Sequence, residues 1–266
     1  MRDRAIGGDV LKGRVVLVTG GTQGIGRAIA LGAAEHGAAG VAIAGRNLER
    51  GERVADEIRA AGSKAAFVPA ELTEAGAPDH LFDAALGAFG QVDCLVNAAA
   101  LTDRASAAEG SAKMWEALFA ANARAPFFLM QRLINHLRSR GSPGSIVNIL
   151  SINVHGGLPS LAIYSASKAA LALLTKNAAF AHRFDRIRVN GINVGWTDTP
   201  AERTMQAVTL GLGEEWLDKA NAAQPFGRLL VPDDIARLAV FLLGDASFPM
   251  TGSVIDQEQA PVGPRD

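Results

Sequence analysis

Apolar positions along this chain fall into two alternating rhythms. Short runs rich in Val, Ile, Leu and Ala read as strands at residues 14–19, 40–44, 64–69, 92–97, 144–150, 187–193 and 252–256. Longer stretches between them repeat their apolar residues at helical spacing, at 24–36, 48–61, 77–89, 112–140, 164–184 and 232–243. Strand and helix alternating from end to end predict a doubly wound, three-layer α/β sandwich around a mostly parallel seven-stranded sheet. No repeat, low-complexity tract or linker interrupts it, so residues 1–266 read as one domain. One segment breaks the rhythm. Residues 199–223 insert a weakly helical stretch with Trp216 where a short turn would suffice, and it reads either as a lid over a ligand or as an ordinary insertion.

Charge narrows the choice of partner. The net charge is −1 and no stretch is dominated by one sign, which argues against nucleic acid or an anionic membrane and for a small molecule. Cys94 is the single cysteine, so no intrachain disulfide forms; it reads as a core residue, and the chain as a cytoplasmic protein. Residues 1–13 lack the apolar core of a secretory signal, no apolar run reaches membrane-spanning length, and the five histidines lack ligand spacing.

The first strand runs directly into Thr19-Gly20-Gly21-Thr22-Gln23-Gly24-Ile25-Gly26 and then a helix. Glycines here let the backbone approach a pyrophosphate, while the helix start offers free N–H groups and a positive dipole end. The second strand ends Gly45-Arg46, where such folds meet the adenosine ribose. Without a carboxylate to repel it, a 2′-phosphate could pair with Arg46, which favours NADP(H); Arg46 as a solvated surface cation is the alternative. Gln23 is neutral, which keeps NAD(H) possible.

Tyr164, the only tyrosine, stands four residues before Lys168, on one face of a helix. A phenol has a pKa of about 10, and a neighbouring ammonium would lower it toward the range a general base needs. Ser151, just past the fifth strand, reads as a hydrogen-bond donor to a substrate oxygen or as a turn cap.

The glycine turn, Ser151 and Tyr164-x-x-x-Lys168, in this order, resemble the classical short-chain dehydrogenase/reductases over essentially the whole chain. That resemblance implies a Rossmann-like fold and interconversion of a secondary alcohol and a carbonyl, with a tetrad of Asn122, Ser151, Tyr164 and Lys168. In it, Asn122 would place a water for proton relay and Lys168 would bond the nicotinamide ribose. It extends the cofactor site to Gly20, Thr22, Gln23, Gly24, Ile25, Gly26, Arg46, Glu71, Leu72, Asn97, Ala98, Ala99, Gly195, Thr197 and Thr199. Ala98, Glu71, Val194 and Gln257-Glu258 depart from the family pattern. It also implies a homotetramer built on the two long central helices and the last strand.

Asn153, His155 and Trp196 border the expected substrate position, and the first two suggest a sugar, polyol or hydroxyketone; a capping Asn, a loop His and a core Trp are the alternatives. Two further readings stand beside this one. A ketoacyl-thioester reductase would need a basic patch for its acidic carrier, with Arg124, Arg132, Arg138 and Arg140 as candidates. A non-catalytic NADP sensor would keep the fold alone.

Overall fold

A computed structural model of the protein describes residues 8–156 and 158–261. Residues 1–7, Gly157 and 262–266 lie outside it, so the readings of the N-terminal segment and of the C-terminal tail fall partly beyond the described residues.

Seven strands, β1 (Val15–Thr19), β2 (Gly40–Gly45), β3 (Lys64–Pro69), β4 (Cys94–Asn97), β5 (Gly144–Ile149), β6 (Ile187–Val194) and β7 (Val254–Gln257), form one sheet ordered β3-β2-β1-β4-β5-β6-β7. Every neighbouring pair is parallel. The chain moves outward from β1 to β3 on one side, then returns to β4 on the other. This reversal opens a crevice at the carboxyl ends of β1 and β4.

Helices α1 (Gly24–Glu35), α2 (Leu48–Ala60), α3 (Ala77–Phe89), α4 (Ala112–Phe119), α5 (Ala125–Arg140), α6 (Ala162–Ala181), α7 (Pro200–Thr204), α8 (Trp216–Ala222) and α9 (Pro232–Leu243) complete the fold. Alternate strand residues feed two cores. Val16, Val18, Val41, Ile43, Cys94 and Val96 face one that includes α1 and α9, and Leu17, Ala42, Ala44 and Leu95 face another that includes α3, α5 and α6. Cys94 is fully buried, which pushes its thiol up to about 11 and suits a core residue. Arg188 on β6 is buried too, and it donates to the carbonyls of Leu242, Leu243 and Gly244, closing the end of α9.

Two elements differ from the sequence expectation in ways that touch the site. The helix expected over 112–140 is continuous but carries a π-helical turn, Ala120–Arg124, between α4 and α5. Widening the helix there gives a polar side chain, Asn122, an inward course that a regular helix would not provide. Residues 199–223 fold as α7, a second π-helical turn (Met205–Thr209) and α8. Thr199 starts this segment by accepting a hydrogen bond from the Glu202 N–H at 3.1 Å. No helix among the described residues is long and apolar enough to cross a membrane.

Candidate active site

A cavity of about 740 Å³ lies at the reversal of strand order, lined by residues that follow β1, β2, β3, β4, β5 and β6. Thr19 Oγ1 accepts from the N–H groups of Ala98 and Ala99, both at 3.1 Å, and so ties the ends of β1 and β4 together. Gly20 has φ +67°, and a Cβ there would stand 2.8 Å from the Ala99 Cα, so only glycine fits. Gly20, Thr22, Gln23, Gly24, Ile25 and Gly26 all line the cavity. No side chain caps the start of α1, which leaves its first amides available to an anion. This uncapped helix start behind a glycine turn fits a pyrophosphate.

At the ribose end, Gly45 leaves no room for a side chain, since its Cβ would meet Thr22 Cγ2 at 2.6 Å. Arg46 is 69% exposed and lies 3.5 Å from Glu71, a loose pairing that leaves most of its donors free. Arg50, which the sequence reading passed over, lines the same space and donates to Gln23 Oε1 at 2.7 Å. Its signal was present: Asn47 caps α2 by accepting from the Arg50 N–H, which fixes Arg50 in the first turn beside Arg46. The neutral Gln23 therefore holds a cation by hydrogen bond where it lacks one itself. Leu72, Ala98 and Ala99 line the cavity as well, whereas Asn97 lies beneath it, donating to Asn148 Oδ1 at 2.8 Å.

The catalytic candidates converge further in. Ser151, Tyr164 and Lys168 line the cavity. Ser151 Oγ accepts from both the backbone and side-chain N–H groups of Asn153, each at 3.2 Å. Both its lone pairs are thus engaged, and its own O–H is left free to donate. Lys168 is buried and donates to the Ile149 carbonyl at 2.8 Å, with its ammonium 5.9 Å from the Tyr164 ring centre. Burial lowers Lys168 to about 8.

One expectation is corrected here. Lys168 was expected to lower the Tyr164 pKa, yet the phenol is raised: burial dominates, the Ser151 hydrogen bond opposes it, Glu202 adds to it and Arg104 opposes it. Asn122, expected to place a water, has its side-chain amide clamped to protein groups. Its Oδ1 accepts from the Leu101 N–H, and its Nδ2 donates to the Leu101 carbonyl and to Ser167 Oγ. Ser167 in turn donates to the Tyr164 carbonyl at 2.7 Å, so Asn122 fastens the loop after β4 to the start of α6.

The outer wall comes from separate segments. Trp196 lines the cavity, stacks on the buried Trp216 at 6.1 Å and donates through Nε1 to Glu202 Oε1 at 2.8 Å. Gly195, Thr197 and Thr199 line it beside Trp196, and Arg104, Glu202, Gln206 and Glu258 add polar groups no sequence motif marked. Glu258 Oε2 accepts from the Trp196 N–H at 3.0 Å, so the unusual C-terminus completes the wall. His155 does not line the cavity. Its Nε2 instead meets both Asp256 carboxylate oxygens, at 3.0 and 3.1 Å, because the 3-10 turn Ile152–His155 rotates it toward β7. Asn153 borders the cavity but serves Ser151 first.

A dinucleotide cradle joined to a half-buried tyrosine, a lysine and a hydroxyl donor is the site of a nicotinamide-dependent oxidoreductase. The family model for short chain dehydrogenases matches residues 14–208, and the chain belongs to the short-chain dehydrogenase/reductase family. It is 34% identical over 247 residues to an NADP-dependent (R)-specific alcohol dehydrogenase of Lentilactobacillus kefiri, covering 92% of this chain and 95% of that one. It is 33% identical over 249 residues to a cis-4-hydroxycyclohexanecarboxylate dehydrogenase of Sinomonas cyclohexanicum, covering 93% and 96%. A 3-oxoacyl (acyl-carrier-protein) reductase of Agrobacterium tumefaciens C58, solved with NADP bound, superposes with a TM-score of 0.83 at 30% identity, over 92% of this chain and 93% of that one.

Proposed function

We propose that this enzyme interconverts a secondary alcohol and a carbonyl with NADP(H), Tyr164 moving the hydroxyl proton. The observation that carries this reading is the double acceptance by Ser151, which leaves its O–H free to donate, on a residue that lines the same cavity as Tyr164. A substrate oxygen there would receive one hydrogen bond from Ser151 and exchange a proton with Tyr164. When bound, the nicotinamide supplies or takes up the hydride. Lys168 keeps a cation within 5.9 Å of the phenol ring and Asn122 holds the Tyr164 turn against the β4 loop. Asn153 is a positioning residue for Ser151.

Arg46 and Arg50 support NADP(H) over NAD(H), since two guanidiniums stand where a 2′-phosphate would lie and Gly45 presents no carboxylate. The NADP-linked names of two relatives point the same way. Residues 199–223 act as the substrate lid, with Pro200, Ala201, Glu202 and Gln206 facing the cavity. Phe127, Phe128, Leu173 and Phe180 leave an exposed apolar surface on α5 and α6, which supports self-association there, as a homotetramer.

A ketoacyl-thioester reading would need a basic docking patch, and its candidate arginines are already paired within the chain. Arg132 pairs with Asp79 and Asp83, Arg138 with Asp185, Arg140 with Asp93, and Arg124 donates to the Thr73 carbonyl. Parallel assays with NADP⁺ and NAD⁺ across secondary alcohols, polyols and sugars test the proposal. Turnover is expected, with kcat/KM at least about tenfold higher for NADP⁺. Tight NADPH binding without turnover of anything would point to a sensor, and turnover confined to acetoacetyl thioesters to the carrier-linked reductase.

A further inference from the structure

The geometry points to Arg104 as the anchor for a carboxylate on the substrate, making the enzyme one that acts on hydroxy or keto acids. This names the substrate class of the site and rests on the alcohol–carbonyl reading above. Arg104 sits on the loop after β4, next to Ala105, which bridges to Leu161 and accepts from the Ala162 N–H at 3.2 Å. The loop is therefore fixed to the first turn of α6, and Arg104 faces the cavity close enough to act on the Tyr164 hydroxyl through its charge.

What distinguishes Arg104 is that it makes no hydrogen bond among the described residues. Its side chain is only 25% exposed, and its Nε is buried with no hydrogen-bond partner among the described residues. The carboxylate within reach, Glu202, has its Oε1 4.0 Å from Arg104 Nη2, outside hydrogen-bonding range. That oxygen is already engaged at 2.8 Å by Trp196 Nε1 and at 2.6 Å by Gln206 Nε2. Glu258, the other acid on this wall, accepts from the Trp196 and Gln259 N–H groups. Both acids are thus satisfied by neutral donors, while the Arg104 guanidinium lines the cavity with no hydrogen-bond partner among the described residues. A planar carboxylate matches a guanidinium fork through two parallel hydrogen bonds, and a hydroxyl or amide does not. Asn153 and His155, on which a polyol reading relied, are engaged by Ser151 and Asp256.

The test compares cyclohexanecarboxylate with cyclohexanecarboxamide by calorimetry on the enzyme with NADP⁺, and cis-4-hydroxycyclohexanecarboxylate with its methyl ester by steady-state kinetics. The acid is expected to bind at least about 30-fold more tightly than the amide and to show a correspondingly lower KM than the ester. Arg104→Met should collapse that preference to under about threefold, and Arg104→Lys, which keeps charge without the fork, should restore part of it. Acid and amide binding alike in the wild type, or Arg104→Met weakening both equally, would overturn the proposal. Arg104-dependent acid binding in an enzyme that turns over nothing would leave the anchor standing and remove the oxidoreductase reading. Efficient turnover of neutral alcohols with no acid preference would do the reverse.

Discussion

The two ends of the cavity are built from different materials. Around the phosphate turn at the inner end the contacts are backbone: Gly20 with φ +67°, the uncapped start of α1, and the Ala98 and Ala99 amides held by Thr19, with the Arg46 and Arg50 side chains only at the ribose. At the outer end they are long side chains, Arg104, Trp196, Glu202 and Glu258, carried by four separate segments off the sheet. Backbone contacts depend on strand ends that the whole core holds in place, so Ala98 can depart from the family pattern without dismantling the cradle. Side-chain contacts depend on single residues, so the outer end can change its substrate while the inner end keeps its cofactor.

The largest expected effect lies where the two ends meet. Lys168→Met should lower kcat/KM by roughly 10²–10⁴-fold in steady-state assays, because the variant removes the cation beside Tyr164. The same change has a signature in stability. Lys168 titrates near 8 when folded against an ordinary 10.5, so between those values the unfolded chain holds the proton more firmly and stability rises with pH. Chemical unfolding from pH 8 to 10 should show the wild type gaining about 2 kcal/mol that Lys168→Met does not gain. Above pH 10 the raised Tyr164 acts in the opposite sense, because folding then holds a proton that the unfolded chain releases.

A middle-sized effect tests the inner end. Replacing Arg46 and Arg50 together by Ala should reduce kcat/KM with NADP⁺ by roughly 10–100-fold and with NAD⁺ far less, as expected for lost charge-assisted hydrogen bonds. Equal losses with both cofactors would mean that the arginines support the turn without reading the phosphate. The smallest effect marks the boundary of the site: His155→Ala should leave kcat/KM within about twofold, since its ring is turned to Asp256. A large loss would move the outer wall to β7.

The same contrast governs what could be read from the sequence. Strand and helix rhythms report burial on two faces of a sheet, so the parallel seven-stranded sandwich was legible, whereas the strand order leaves no mark in the rhythm and came from the structure. The glycine turn and the Tyr164–Lys168 pair were legible because their spacing is itself the geometry. Asn122 was legible only through the family resemblance, because the π-helical turn that directs it inward leaves no periodic mark. Arg104, Glu202 and Glu258 were invisible for a different reason: they meet across loops, and no local spacing records a contact between residues about a hundred apart in sequence. His155 was misplaced because its neighbours in sequence line the cavity while its ring does not.

The central claim is that Tyr164 moves the proton and does little else. Tyr164→Phe keeps the ring and removes only the hydroxyl, so kcat/KM should fall by roughly 10²–10⁴-fold while the NADPH dissociation constant, followed by nucleotide fluorescence, changes by less than about threefold. Turnover within about tenfold of the wild type, with NADPH bound as before, would contradict that assignment.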